Sequence, residues 1–149
     1  MKHITIHELR ALLDEVDISN RILTDKAIAI GAFDEKNNVR VEIVCFVEFE
    51  KFEIFTTIPA PELKRIDALE FCNQWNEKNV VPKIHVGKDN DVQCIYSTSL
   101  IPVDEEISGK YVVKNIVHIL FATRDLLVTF DHYSKTGVFK VFRDKSEDK

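Results

Sequence analysis

Five histidines, three cysteines and one acidic turn are the residues of this chain whose chemistry could exceed a structural role. His3 and His7 stand four apart, a spacing that places two imidazoles on one side of a helix, as a metal site requires. His3, however, precedes the helix that follows, and no third ligand is near, so both read as surface histidines, as do His85, His118 and His132. Asp89-Asn90-Asp91 faintly resembles a calcium loop, but the glycine and the closing glutamate of such a loop are missing, which leaves a hairpin turn. Cys45, Cys72 and Cys94 form no Cys-x-x-Cys pair. Each lies in an apolar context, without the base and positive charge that activate a thiol, and the three read as buried thiols of a reducing compartment. There is no Gly-x-Ser-x-Gly elbow. Gly31, Gly87, Gly109 and Gly137 are isolated, so no phosphate-cradling loop is expected. No catalytic residue, metal, cofactor or enzyme activity follows from these patterns.

The scaffold is more legible than the chemistry. The 149 residues favour one domain, expected over residues 1–142 with a mobile polar tail at 143–149. Hydrophobic residues make up 45% and charged residues 30%, a globular rather than a disordered balance. The formal charge of −5 comes without a basic stripe, so nucleic acid is not an expected partner. The N-terminal residues lack the apolar core of a signal peptide. The most apolar helical run, Tyr111 to Ala122, is interrupted by Lys114, Asn115 and His118 and does not suit a bilayer. A cytoplasmic protein without membrane contact is expected.

Thr5 with Glu8 forms a capping box, and Ile4 with Leu9 a hydrophobic staple. Leu9, Leu12, Leu13 and Val16 then mark a helix from about Ile6 to Val16. Three strands follow: Ala27 to Phe33, Val39 to Val47 and Phe52 to Ile58, rich in β-branched and aromatic residues. Pro61 suits the start of a second helix, on which Ala68, Phe71, Cys72 and Trp75 share a face, with its end near Asn79. Lys83 to Ile101 reads as a hairpin around Gly87 to Asp91. In it Ile84, Val86, Val92, Cys94, Tyr96 and Leu100 hold one phase and Gln93, Ser97 and Ser99 the other. Asp104, Glu105 and Glu106 lead into a third helix capped by Ser108, where acidic groups favour the helix dipole. Its expected core face is Val113, Ile116, Val117, Leu120, Leu127 and Phe130. Gly137 to Phe142 could dock or add an edge strand. The expected fold class is α+β, in the order α-β-β-β-α-β-β-α, with one mostly antiparallel sheet and helices packed on it.

Phe71-Cys72-Asn73-Gln74-Trp75-Asn76, followed by Pro82-Lys83 and a hairpin with an acidic turn, resembles the YbjN family. The likeness covers about Glu8 to Tyr133, and its specific part is Leu69 to Lys83. The resemblance implies a fold similar to type III secretion chaperones, which are small, acidic, cytoplasmic, usually dimeric and bind other proteins. It also implies a role like that described for the family, sensory-transduction regulation without an established enzyme activity.

One further signal comes from the strands. In Val39 to Val47 both phases are apolar, whereas a sheet covered on one face only should alternate. The phase carrying Glu42, Glu53 and Gln93 is expected to face outward, and it also carries Val44, Phe46, Phe55 and Ile95. These four are the candidate partner-binding residues, for a second copy in a homodimer or for another protein. A small-ligand sensor is the alternative, with a groove between the sheet and the third helix lined by Tyr111, Ile116 and Phe121.

Overall fold

The computed structural model describes residues 4–48, 50–103 and 107–143. Helix α1 (Ile6–Glu15) starts where its cap dictates: Thr5 Oγ1 accepts from the Glu8 amide at 3.2 Å. Leu9 and Leu13 on its inner stripe are fully buried. A strand that the sequence patterning did not reveal, β1 (Ser19–Ile22), follows. Then come β2 (Ala27–Asp34), β3 (Val39–Val47) and β4 (Lys51–Pro59), the three strands expected there, paired in succession as an antiparallel meander. Helix α2 (Arg65–Lys78), β5 (Lys83–Asp89), β6 (Val92–Pro102) and α3 (Gly109–Thr136) complete the chain. The class is α+β: one antiparallel sheet in the order β1-β2-β3-β4-β6-β5, with three helices.

The core has two halves bridged by α3, whose 28 residues span about 42 Å at the helical rise. Under α1 lie Leu9, Leu13, Ile28, Ile30, Ile43 and Ile54, closed by Val112 and Ile116 of α3. Under α2 lie Ile58, Phe71, Trp75, Ile84 and Ile95, closed by Leu126 and Tyr133 of α3. The buried stripe of α3 therefore runs through Val112, Ile116, Ile119, Leu120 and Leu126; Val113, Val117, Leu127 and Phe130 flank it half-buried. Ser108 caps the helix as expected, accepting from the Tyr111 amide at 3.2 Å. The acidic run Asp104 to Glu106 lies outside the described residues. At the other end Gly137 takes φ 71° and donates its amide to the Tyr133 carbonyl, the left-handed cap that glycine adopts without strain. The chain then folds back on the helices. Phe139 packs edge-on to Phe71 at 5.6 Å and Phe142 packs on His132 at 5.0 Å. Gly137 to Phe142 thus docks and adds no strand. Arg143, expected in the tail, donates to Asn79 Oδ1 at 2.8 Å, and 144–149 lie outside the described residues.

The segment from Trp75 to Ile84 is a clamp. Trp75 Nε1 donates to the Pro82 carbonyl at 2.9 Å. The Asn76 amide holds both backbone groups of Ile84: its Nδ2 donates to the carbonyl at 2.8 Å and its Oδ1 accepts from the amide at 3.0 Å. Lys83 Nζ closes the helix end on the carbonyls of Asn76 and Asn79. The Val81–Pro82 bond is cis. Helix α2 begins at Arg65 rather than near Pro61, because Gln93 Nε2 donates to the carbonyls of Ala60 and Leu63 and holds that stretch as a loop.

Gln93 therefore faces the helices, and with it the expected phase of β6 is inverted. Ile95 pairs with Ile58 and Ile101 with Phe52, all of them core residues. Gln93, Ile95, Ser97, Ser99 and Ile101 point inward. Cys94, Tyr96, Thr98 and Leu100 point outward. The turn of this hairpin is only Asn90-Asp91, both at positive φ, as a two-residue connection of this twist requires. Gly87 lies within β5, where the Tyr96 ring occupies the space a Cβ would need. That ring stacks on His85 at 5.4 Å, and its hydroxyl donates to the Lys88 carbonyl at 2.8 Å.

Candidate functional site

Among the described residues, a sheet face and an apolar groove stand out as places for a partner or ligand. The first is the sheet face opposite the helices. The register brings Ala29, Val44, Phe55 and Thr98 into one row across it, and Ala27, Phe46, Glu53 and Leu100 into the next. Phe46 and Phe55 meet edge to face at 5.6 Å, the geometry that ring quadrupoles favour. Phe46 is 40% exposed and Leu100 60%, while Ala27 and Ala29 lie buried beneath the larger neighbours. Charges flank the rings in both signs: Lys51 pairs with Glu53 at 2.8 Å on one side, and Arg40 and Glu42 share the outward phase on the other. Among the described residues no helix or segment covers this face.

Of the four residues expected there, Val44, Phe46 and Phe55 stand together. Ile95 does not: it is fully buried under α2 and α3. The serines of β6 were the misleading signal, because they face inward with Ile95. Leu100 was missed for the same reason. The even spacing of Ile95 and Ile101 was the signal that could have placed Leu100 outside.

The second place is a groove of about 690 Å3 between β2, the α1–β1 turn and α3, within the usual size of small-ligand pockets. It exists because β1 pairs only as far as Ser19 with Gly31, so β2 runs on from Ala32 to Asp34 without a neighbour on that side. Ile18, Val41, Val117 and Leu120 form its walls and Phe121 stands at its mouth, 39% exposed; Phe33, 57% exposed, borders the groove from the outward phase it shares with Ala29 and Gly31. Of the three residues expected to line such a groove, only Phe121 does. Ile116 is fully buried in the core, and Tyr111 sits exposed at the start of α3.

At one end of the groove Arg124, with 7% of its side chain exposed, lies 3.7 Å from Asp34 and 2.9 Å from Asp125, and its guanidinium rests 5.2 Å from the Phe121 ring centre. The side-chain amide of Asn37 holds the Asp34 carboxyl below its ordinary range. Partial burial opposes this; the Asn37 and Lys36 amides and the Arg124 charge add to it.

The cysteines are chemically quiet. All three are free and buried. Burial pushes the Cys45 thiol up to about 12 and Cys72 up to about 11, so neither carries appreciable thiolate at neutral pH. In the native state at pH 8 a thiol reagent should leave Cys45 and Cys72 unmodified over the hours in which denatured chain reacts completely. Rapid native labelling of Cys45, read by peptide mass, would contradict this. His7, the described member of the pair with His3, belongs to no cluster of three metal-ligating side chains among the described residues, and His3 lies outside them.

Among the described residues, fold and geometry define a helix-backed antiparallel sheet with a bare face and a lateral groove. Compared with known proteins, the chain matches no family model, and a search of curated proteins returns no significant match. Among the described residues no helix is long and apolar enough to cross a membrane.

Proposed function

We propose that this domain works by association, as a non-enzymatic, YbjN-like module, and that the occupant of its open sheet face is a second copy of the chain. The observation that carries this reading is the Phe46–Phe55 pair, with Val44 and Leu100 beside it, on a face that the helices leave bare. Six strands at ordinary spacing present roughly 750 Å2, close to the roughly 800 Å2 per partner of a standard interface. The flanking charges include both signs, so a copy turned about a two-fold axis meets no net repulsion.

Phe46→Glu tests it. A dimer that buries Phe46 twice loses about 4 kcal/mol over the two copies, about a thousandfold in Kd. Sedimentation equilibrium should show a dimeric parent and a monomeric variant with unchanged circular dichroism, since Phe46 contributes little to the core. A monomeric parent, or a variant that sediments like the parent, would refute the proposal. The groove beside Arg124 favours a second reading, a small-ligand sensor in which the apolar walls hold the ligand.

A further inference from the structure

The groove between β2 and α3 is a concave surface whose walls are mainly apolar, and the charges around it say what kind of molecule fits. Its one buried cation, Arg124, is already engaged: Asp34 lies on one side, Asp125 on the other, and the Phe121 ring beneath. A ligand carboxylate or phosphate could reach the guanidinium only by parting it from those carboxylates. The rim is formed by Asp17, Glu35 and Lys36. Counting Asp34 and Arg124, the lining carries three carboxylates against two cations. Phe121, 39% exposed, stands at the opening, and ring faces attract organic cations as well as apolar groups.

We propose that this groove binds a small organic amine, an ammonium group on an aromatic or aliphatic body, with the body between the apolar walls and the ammonium at the Asp17–Glu35 rim. The inference rests on the ligand-sensing reading and is independent of the sheet-face association. Asp17 already occupies φ 58°, a conformation asparagine tolerates, so its charge can be removed without disturbing the turn. Ala32 is exposed at the groove, so a larger side chain there fills the space without displacing core.

The test uses the full chain and three probes of one shape: phenethylamine, 2-phenylethanol and phenylacetate, followed by calorimetric titration and thermal shift. Phenethylamine should bind about tenfold tighter than the alcohol, weaken as salt rises, and raise the melting temperature with concentration. Phenylacetate should bind more weakly than either. The double variant Asp17→Asn, Glu35→Gln should bring the amine down to the affinity of the alcohol. Ala32→Trp should abolish binding of every probe while keeping the parent melting temperature. If the alcohol or the acid binds as tightly as the amine and Ala32→Trp abolishes it, the groove is a ligand site but the amine assignment is wrong. If no probe binds, or binding survives Ala32→Trp, both the assignment and the ligand-sensing reading are overturned.

Discussion

Trp75→Ala should lower the unfolding free energy by about 3–5 kcal/mol, the range for removing a large aromatic from a core. Trp75 is 1% exposed and packs with Ile58, Phe71, Ile84, Ile95 and Leu126. Its loss leaves a cavity where α2, α3 and β5 meet. It also takes away the indole N–H that the Pro82 carbonyl accepts. Domains of this size are stable by only about 5–15 kcal/mol, so the variant should be partly unfolded near body temperature. Trp75→Phe separates the two contributions. It keeps most of the ring and loses the hydrogen bond, and should cost about 1–3 kcal/mol. Urea unfolding followed by circular dichroism ranks them, since the chain's sole tryptophan is gone in both. Equal losses in the two variants, or none in either, would contradict this account of the clamp.

The second large effect is expected at Asn76. Its side chain stands in for a neighbouring strand, meeting both the amide and the carbonyl of Ile84. Asn76→Leu keeps the bulk and leaves both groups without a protein partner, at a cost of about 2–3 kcal/mol given that water can partly reach this edge. Asn76→Asp still accepts from the amide but opposes a carboxylate to the carbonyl, so it should recover little. The diagnostic readout is local: amide hydrogen exchange at Ile84 should accelerate far more than exchange in β2 and β3, which the change does not touch. Uniform acceleration across the sheet would mean that Asn76 acts only through global stability.

Much of the fold could be read from the chain because local chemistry decided it. The Thr5–Glu8 cap, the leucine stripe of α1 and the β-branched runs of β2 to β4 depend on near neighbours, and the structure follows them. What failed depended on distant partners. β1 has few strand-favouring residues; Ser19-Asn20-Arg21-Ile22 is a strand because α1 and β2 hold it there. α2 starts late because Gln93, thirty residues downstream of Leu63, claims the loop carbonyls. The phase of β6 was misjudged because two inward serines resemble a solvent face, and that error carried Ile95 to the wrong side. For the candidate sites the outcome divides the same way. Val44, Phe46 and Phe55 lie near enough in sequence for alternation to group them. The groove depends on where β1 stops along β2, which pairing decides and patterning does not. Trp75 was legible as core, whereas the role of Asn76 was not, because only the approach of β5 gives its amide something to hold.

The two borders of the sheet differ in a way that bears on self-assembly. Along β5 the outward carbonyls of Ile84 and Lys88 are occupied by Asn76 and Tyr96, which interrupts the row of groups an incoming strand would grip. The opposite border, β1, is only four residues long. Head-to-tail stacking of molecules into a ribbon needs both borders free, so growth by that route stops at its first addition. Crowded solutions of this protein should therefore hold no edge-to-edge filaments.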